Sequence, residues 1–121
     1  MTTDVAVPVS ELAAAIEHAR GTLDESGLLG GIVGHVGDGN FHVAFLLDPD
    51  DDASIAQAEG LNATLVDDAL ARGGTCTGEH GIGFGKLRYL DLEHGDLVPL
   101  YRGIKQLLDP NGILNPGKVV P

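Results

Sequence analysis

Hydrophobic and polar positions along the first 77 residues alternate between strand-like and helix-like spacing. Ser10 is a favourable N-cap for a helix whose apolar residues recur every three or four positions, and Gly27 ends it. Gly73 and Gly74 end a second helix in the same way. The resulting order of elements is the split βαβ pattern, which predicts an α+β, ferredoxin-like antiparallel sheet (βαββαβ) with helices on one face. The predicted strands are residues 4–9, the two arms of a hairpin within 28–47, and 75–77; the helices are 10–26 and 53–72.

The last third of the chain predicts a helical tail instead of further strands. Residues 86–93 predict a short helix, and Asp96 is placed to cap another one. Two turn signals follow, DPNG at 109–112 and NPG at 115–117. The side chains expected on the buried face of the last helix are Leu97, Leu100, Tyr101, Ile104, Leu107 and Leu108.

The hairpin contains the first chemically informative motif, GHVGDGNFH at residues 34–42. Asp38-Gly39 is a strong signal for a two-residue type I′ turn. With that turn, His35 falls directly opposite His42, which places their Cβ atoms roughly 4.5–5.5 Å apart. Two imidazoles at this separation can share a metal ion. The alternative is a pair of half-exposed histidines without a ligand.

A second motif, TCTGEHGIGFGK, occupies residues 75–86. Glu79 offers a carboxylate that would complete a two-histidine, one-carboxylate metal site with the hairpin pair, and His80 is available beside it as a base. Adjacent residues of a regular strand face opposite sides, so both can approach one substrate only if the strand breaks there. Gly78 and Gly81 flank the pair and permit that break. The stretch matches neither a P-loop nor the GxGxxG dinucleotide pattern.

Composition narrows the function classes further. The 18 acidic and 7 basic residues give a formal charge of −11, which argues against nucleic acid or an anionic membrane surface as a partner. No apolar run approaches a transmembrane helix, and the first residues do not resemble a signal peptide. A single cysteine, Cys76, excludes an internal disulfide and a cysteine-cluster zinc site; a small buried hydrophobe is its expected role. These features predict a cytoplasmic location and one domain over 1–121.

Three motifs in order, GHVGDGNFH, TGEHGIGFGK and LLDPNGILNPGK, resemble the C-terminal part of FAD-linked oxidases. The group is that of D-lactate, glycolate and D-2-hydroxyglutarate dehydrogenases, of the vanillyl-alcohol-oxidase type. The resemblance implies that zinc or manganese is held by three ligands and that His80 takes the substrate hydroxyl proton. It also places Asn115 and Lys118 in a segment that returns toward the flavin. The implied metal ligands are His35, His42 and Glu79.

The resemblance further implies that 1–121 is the substrate-side portion of such an enzyme, with the flavin-binding domain absent. FAD would be bound mainly by that domain, so we do not expect turnover by this chain alone. Ala44 stands where hydroxyglutarate members usually carry Asn, which favours a small D-2-hydroxy acid like D-lactate or glycolate as substrate. The expected partners are this substrate and a flavin-binding domain or subunit, with self-association through the exposed domain interface. The alternative is a stand-alone metal-binding module, or a subunit that docks onto a separate flavin protein.

Overall fold

The computed structural model of the chain describes residues 1–120. The backbone forms two compact units, Met1–Glu79 and a second one that begins at His80. The first unit contains the sheet, two long helices and the hairpin histidines. The second unit is helical.

The sheet of the first unit has three antiparallel strands in the order β1-β3-β2. They are β1 (Val5–Ala6), β2 (Gly30–His35) and β3 (Asn40–Phe45). Together with the helices they confirm the predicted α+β class. The predicted fourth strand is reduced to one isolated bridge, in which Thr75 pairs with Ala6 beside β1. The ladder stops there because the Thr75 hydroxyl accepts a hydrogen bond from the Thr77 backbone N–H, which competes with continued strand pairing.

Helix α1 (Leu12–Ser26) follows a short 3-10 helix, Val9–Glu11. Ser10 lies inside that 3-10 helix, so its predicted role as N-cap of a longer helix is wrong. The physical reason is that the Glu11 N–H already donates to the Pro8 carbonyl, so the tighter turn begins two residues earlier, with Pro8 at the N-cap position. The C-terminal end agrees with the prediction, since Gly27 takes a left-handed conformation with φ 72°.

Helix α2 (Asp52–Ala71) begins with a side-chain cap. The Asp51 carboxylate accepts hydrogen bonds from the backbone N–H groups of Ala53 and Ser54. The helix ends as predicted: the Gly73 N–H donates to Leu70 and the Gly74 N–H to Ala69. None of the helices found within residues 1–120 combines the length and apolar character needed to cross a bilayer.

The core of the first unit lies between one face of the sheet and helices α1 and α2. Side chains on β3 alternate in direction, so Phe41, Val43 and Phe45 share that apolar face while Asn40 and His42 point to the other. The opposite face of β3 therefore presents polar groups. The buried apolar residues of the two helices are Leu12, Ala15, Ala19 and Leu23 in α1, and Ala58, Leu65, Val66 and Ala69 in α2.

The second unit contains α3 (Leu87–His94), a 3-10 helix (Gly95–Leu97) and α4 (Val98–Leu108). Asp96 lies within the 3-10 helix and does not cap α4, because this tighter turn takes the place of the predicted first helical turn. The predicted buried face of α4 is also wrong: Leu107 is 80% exposed and Leu108 73% exposed. Helical periodicity identifies an amphipathic helix, but a second packing layer must be present to bury its apolar face.

Asp109 organises the turn that follows α4. Its buried carboxylate accepts hydrogen bonds from the Lys105 ammonium group and from the backbone N–H groups of Ile113 and Leu114. The hydrogen bond from Lys105, followed by the one from the Leu114 backbone, lowers the pKa of Asp109 below its ordinary value. The predicted turn at 109–112 is present, with Gly112 at φ 62°.

This lowered pKa predicts an acid-sensitive contribution to stability. A carboxyl group whose pKa is lower in the folded chain stabilises it above the unfolded pKa, which is about 3.9 for aspartate. The contribution disappears as the pH falls through the lower folded value. Thermal unfolding should therefore separate wild type from Asp109→Asn at pH 6 to 7, and the difference should shrink below about pH 4. An equal difference at pH 7 and pH 2 would contradict this account.

Candidate metal centre

The loop between β2 and β3 is longer than the predicted two-residue turn. Val36–Asp38 form a 3-10 turn and Gly39 follows in the left-handed conformation, at φ 72°. A type I′ turn at Asp38-Gly39 needs positive φ at both residues, and Asp38 does not adopt it. The predicted direct pairing of His35 with His42 is therefore wrong: His35 pairs with Asn40.

The two histidines nevertheless share one face of the sheet. His42 pairs with Val33, so the register differs from the expected one by two residues, an even number. Because strand side chains alternate with a period of two, an even shift keeps each side chain on its predicted face. His35 and His42 become diagonal neighbours, with ring centroids 6.1 Å apart and nearly perpendicular planes.

Glu79 completes the cluster from the loop that follows the Thr75 bridge. Residues 78–80 form a bend, which confirms the predicted break in the strand. One oxygen of Glu79 lies 3.1 Å from Nε2 of His42, and the other lies 3.7 Å from Nε2 of His35. The carboxylate therefore lies within reach of both imidazoles. His80 begins the second unit, and its approach to the same face stays a prediction.

The hydrogen bonds of His42 indicate which ring nitrogen is available for a ligand. Its Nδ1 lies 3.0 Å from the carbonyl oxygen of Thr3, which can only accept, so we infer that Nδ1 carries the proton. Nε2 then faces a Glu79 oxygen 3.1 Å away. Two acceptors at that distance repel each other unless a proton or a cation lies between them.

The donor set suits a divalent cation. His35, His42 and Glu79 each offer one ligand atom, and these atoms all lie within 4.8 Å of one another. Imidazole nitrogen and carboxylate oxygen bind zinc at about 2.0–2.2 Å, and three such ligands leave positions open for a substrate. His42 is almost fully buried, whereas the His35 side chain is 61% exposed. One side of the cluster is thus anchored in the protein and the other faces solvent.

An open cavity of about 450 Å³ adjoins this cluster. It is large enough for a small organic acid. The residues that line it are His35, Asp38, Asn40, Gly78 and Glu79.

Comparison with known proteins identifies the domain. The sequence matches the family described as FAD linked oxidases, C-terminal domain, over residues 1–119. The chain belongs to this family. The FAD-linked oxidase domain is 48% identical, over its whole length, to the mitochondrial D-lactate dehydrogenase (cytochrome) of Arabidopsis thaliana, of which it covers 22%. It is 46% identical to D-lactate dehydrogenase (cytochrome) 1 of Saccharomyces cerevisiae over 98% of the chain and 20% of that protein. Over 72% of the chain it is 36% identical to the glycolate oxidase subunit GlcD of Escherichia coli K12, covering 18% of that subunit.

The FAD-linked oxidase domain thus spans about a fifth of the length of these relatives. Their names also contradict the predicted cytoplasmic location, because relatives from a plant, a fish and a yeast are named as mitochondrial. The prediction was wrong because acidic composition and a single cysteine indicate surface charge and redox environment, but not the compartment. Location in the cell is determined by targeting signals that receptors recognise.

Asn115 and Lys118 lie together in the second unit of the FAD-linked oxidase domain. Asn115 has a positive φ of 46°, and its side-chain oxygen lies 3.5 Å from the Lys118 ammonium group. That ammonium group also lies 5.6 Å from the centre of the Phe84 ring. These contacts define a local turn, and the cofactor role of the two residues stays a prediction.

Sequence reasoning missed two polar residues beside the candidate metal centre, Asp4 and Asn40. Both are at least 95% buried, and the Asn40 amide donates to an Asp4 oxygen at 2.8 Å. The sequence pattern places Asp4 at the start of a strand and Asn40 within the hairpin, which assigns neither residue a role in the site. A charged residue directly before an apolar strand was the available signal, since buried carboxylates require dedicated partners.

Proposed function

We propose that this chain is the substrate-side domain of a flavin-dependent dehydrogenase that oxidises a D-2-hydroxy acid to the 2-oxo acid. The observation that carries the proposal is the convergence of His35, His42 and Glu79 beside a cavity, in a chain of the FAD-linked oxidase family. A D-lactate-like or glycolate-like substrate is favoured by the names of the relatives. Ala44 also favours such a substrate, because hydroxyglutarate dehydrogenases of this group usually carry Asn at that position.

The three ligands would hold zinc or manganese through the Nε2 atoms of His35 and His42 and the carboxylate of Glu79. The ion would supply Lewis acidity toward the substrate hydroxyl and carboxylate, while FAD, bound mainly by the flavin-binding domain, would supply the redox chemistry. The half-exposed position of Glu79 and the exposed position of His35 leave one side of the cluster open to a substrate. The buried ring of His42 holds the other side in place.

The proposed base is His80, which would accept the proton of the 2-hydroxyl group at a ring nitrogen. This role rests on the motif TGEHG, in which His80 directly follows Glu79. We further propose that Asn115 and Lys118 lie toward the flavin in the complete enzyme. Both assignments follow the family motifs, residue by residue.

The proposed partner is a flavin-binding domain or subunit that covers the exposed apolar side chains of the second unit. Leu100, Leu107 and Leu108 are 58%, 80% and 73% exposed. Exposed apolar surface of this kind is typical of interaction sites, and it also favours self-association when the partner is absent. The alternative, a subunit that docks onto a separate flavin protein, is supported by the relative that is named as a subunit.

The proposal is tested on the purified 121-residue chain. Elemental analysis and calorimetry are expected to show one zinc or manganese ion per chain. The visible spectrum should show no flavin. Addition of the metal should create binding of D-lactate that L-lactate does not reproduce. A chain that binds neither metal at millimolar concentration would contradict the proposed metal site.

A further inference from the structure

A buried carboxylate lies directly beneath the candidate metal centre. Asp4 is 1% exposed, although ionised carboxylates are costly to bury without partners. Its oxygens accept hydrogen bonds from the Asn40 amide at 2.8 Å, the Thr77 hydroxyl at 2.9 Å and the Glu79 backbone N–H at 3.1 Å. The donors come from the hairpin and from the loop after the Thr75 bridge, so one side chain joins both segments.

The backbone of this loop passes very close to the Asp4–Asn40 pair. A Cβ atom added to Gly78 would lie 1.7 Å from Nδ2 of Asn40 and 2.9 Å from an Asp4 oxygen. Such distances are excluded by steric repulsion, so only glycine permits the approach. The glycine directly before Glu79 is therefore required chiefly by the buried Asn40 side chain, which donates to Asp4.

The segment that contains Asp4 contacts two of the three candidate ligands. The Thr3 carbonyl holds Nδ1 of His42 at 3.0 Å, which leaves Nε2 facing the cluster. Asp4 holds the backbone N–H of Glu79, whose side chain extends to that same Nε2 at 3.1 Å. Groups that orient metal ligands in this way affect metal affinity without touching the ion.

We propose that Asp4 is a positioning residue of the metal centre, which places Glu79 by binding its backbone N–H and the Thr77 hydroxyl. This inference rests on the metal site proposed above. Asn40 fixes the Asp4 carboxylate from the other side, since its amide donates both to Asp4 and to the Val5 carbonyl.

The test compares Asp4→Asn with wild type and with Asp109→Asn, in the 121-residue chain. Asp109 is a matched control, because it is a second buried aspartate that organises a loop by accepting backbone N–H groups. Zinc affinity by calorimetry should fall about 10- to 100-fold in Asp4→Asn. It should stay unchanged in Asp109→Asn.

Amide hydrogen exchange of the metal-free chain provides a second readout. The Glu79 N–H should exchange about 10-fold faster or more in Asp4→Asn, because an NH2 group replaces one of the two Asp4 oxygens that accept from it. If Asp4→Asn does not fold, Thr77→Val replaces it in the test. This variant keeps Asp4 but removes one of its hydrogen-bond donors, so we expect a smaller loss of zinc affinity. Thr77→Ser keeps the hydroxyl and should restore affinity.

The outcomes separate the two proposals. If wild type binds no metal, the proposed metal site fails, and the exchange rate of the Glu79 N–H still decides whether Asp4 positions that residue. Wild-type zinc affinity and exchange rate in a folded Asp4→Asn chain would overturn the inference. Loss of zinc with an unchanged exchange rate would also overturn it, since Asp4 would then act as a direct ligand.

Discussion

His35→Ala and Glu79→Gln are each expected to weaken zinc binding about 100-fold or more. The binding free energy of a protein zinc site is of order 10 kcal/mol and is shared among a few ligands, so each ligand contributes several kcal/mol. His35 is the cleanest position to change, because its side chain is 61% exposed and its removal leaves little cavity. Glu79→Gln keeps the shape of the side chain and removes its charge. Calorimetric titration with zinc and with manganese measures both effects.

His18→Ala is the matched control for the histidine variant. His18 is exposed on α1, remote in sequence from the hairpin, and should bind metal no more than any other surface histidine. Its replacement is expected to leave zinc affinity unchanged. If His35→Ala and wild type bind zinc equally, the metal site lies elsewhere and the proposed ligand set is wrong.

His80→Ala is expected to lower turnover by roughly 10²–10⁴-fold in a complete enzyme that carries this domain, the usual contribution of a general base. Metal content should stay close to that of wild type. Steady-state turnover with a D-2-hydroxy acid, together with elemental analysis of the same preparation, measures both quantities. Glu79→Gln should instead lose metal and activity together.

His94→Ala provides the comparison within the second unit. His94 ends α3, with its ring 3.3 Å from the Glu93 carboxylate and 6.0 Å from the ring of Tyr101. We expect this variant to keep wild-type turnover. If His80→Ala removes the metal, His80 is a ligand; if it leaves turnover unchanged while substrate still reduces the flavin, another residue is the base.

The elements that sequence reasoning predicted best are those set by local interactions. Helix α2 shows this most clearly: it ends at glycines whose N–H groups bond the last carbonyls, as the Gly73-Gly74 pair predicted. The strand break at Glu79 also followed from its flanking glycines. Both features depend on backbone preferences within a few residues, which the amino acids themselves carry.

The hairpin register and the burial of α4 could not be read in the same way. The register depends on whether Asp38 adopts positive φ, and the 3-10 turn at Val36–Asp38 prevents it. The prediction that both histidines lie on one face of the sheet was still correct, because the register differs from the predicted one by an even number of residues. The exposure of Leu107 and Leu108 depends on which surface packs against α4, and periodicity contains no information about that.

The sequence by itself determined the α+β class, the family and the residue types of the candidate site. Only the tertiary structure decided that His35 and His42 are diagonal neighbours, that Glu79 reaches both, and that Asp4 holds the Glu79 backbone from below. The physical reason is the distance along the sequence between the residues that interact. Helix ends and turns depend on neighbouring residues, whereas Asp4 and Glu79 are brought together by the pairing of β1 with β3 and with Thr75. A buried carboxylate finds its donors only after those long-range contacts have formed.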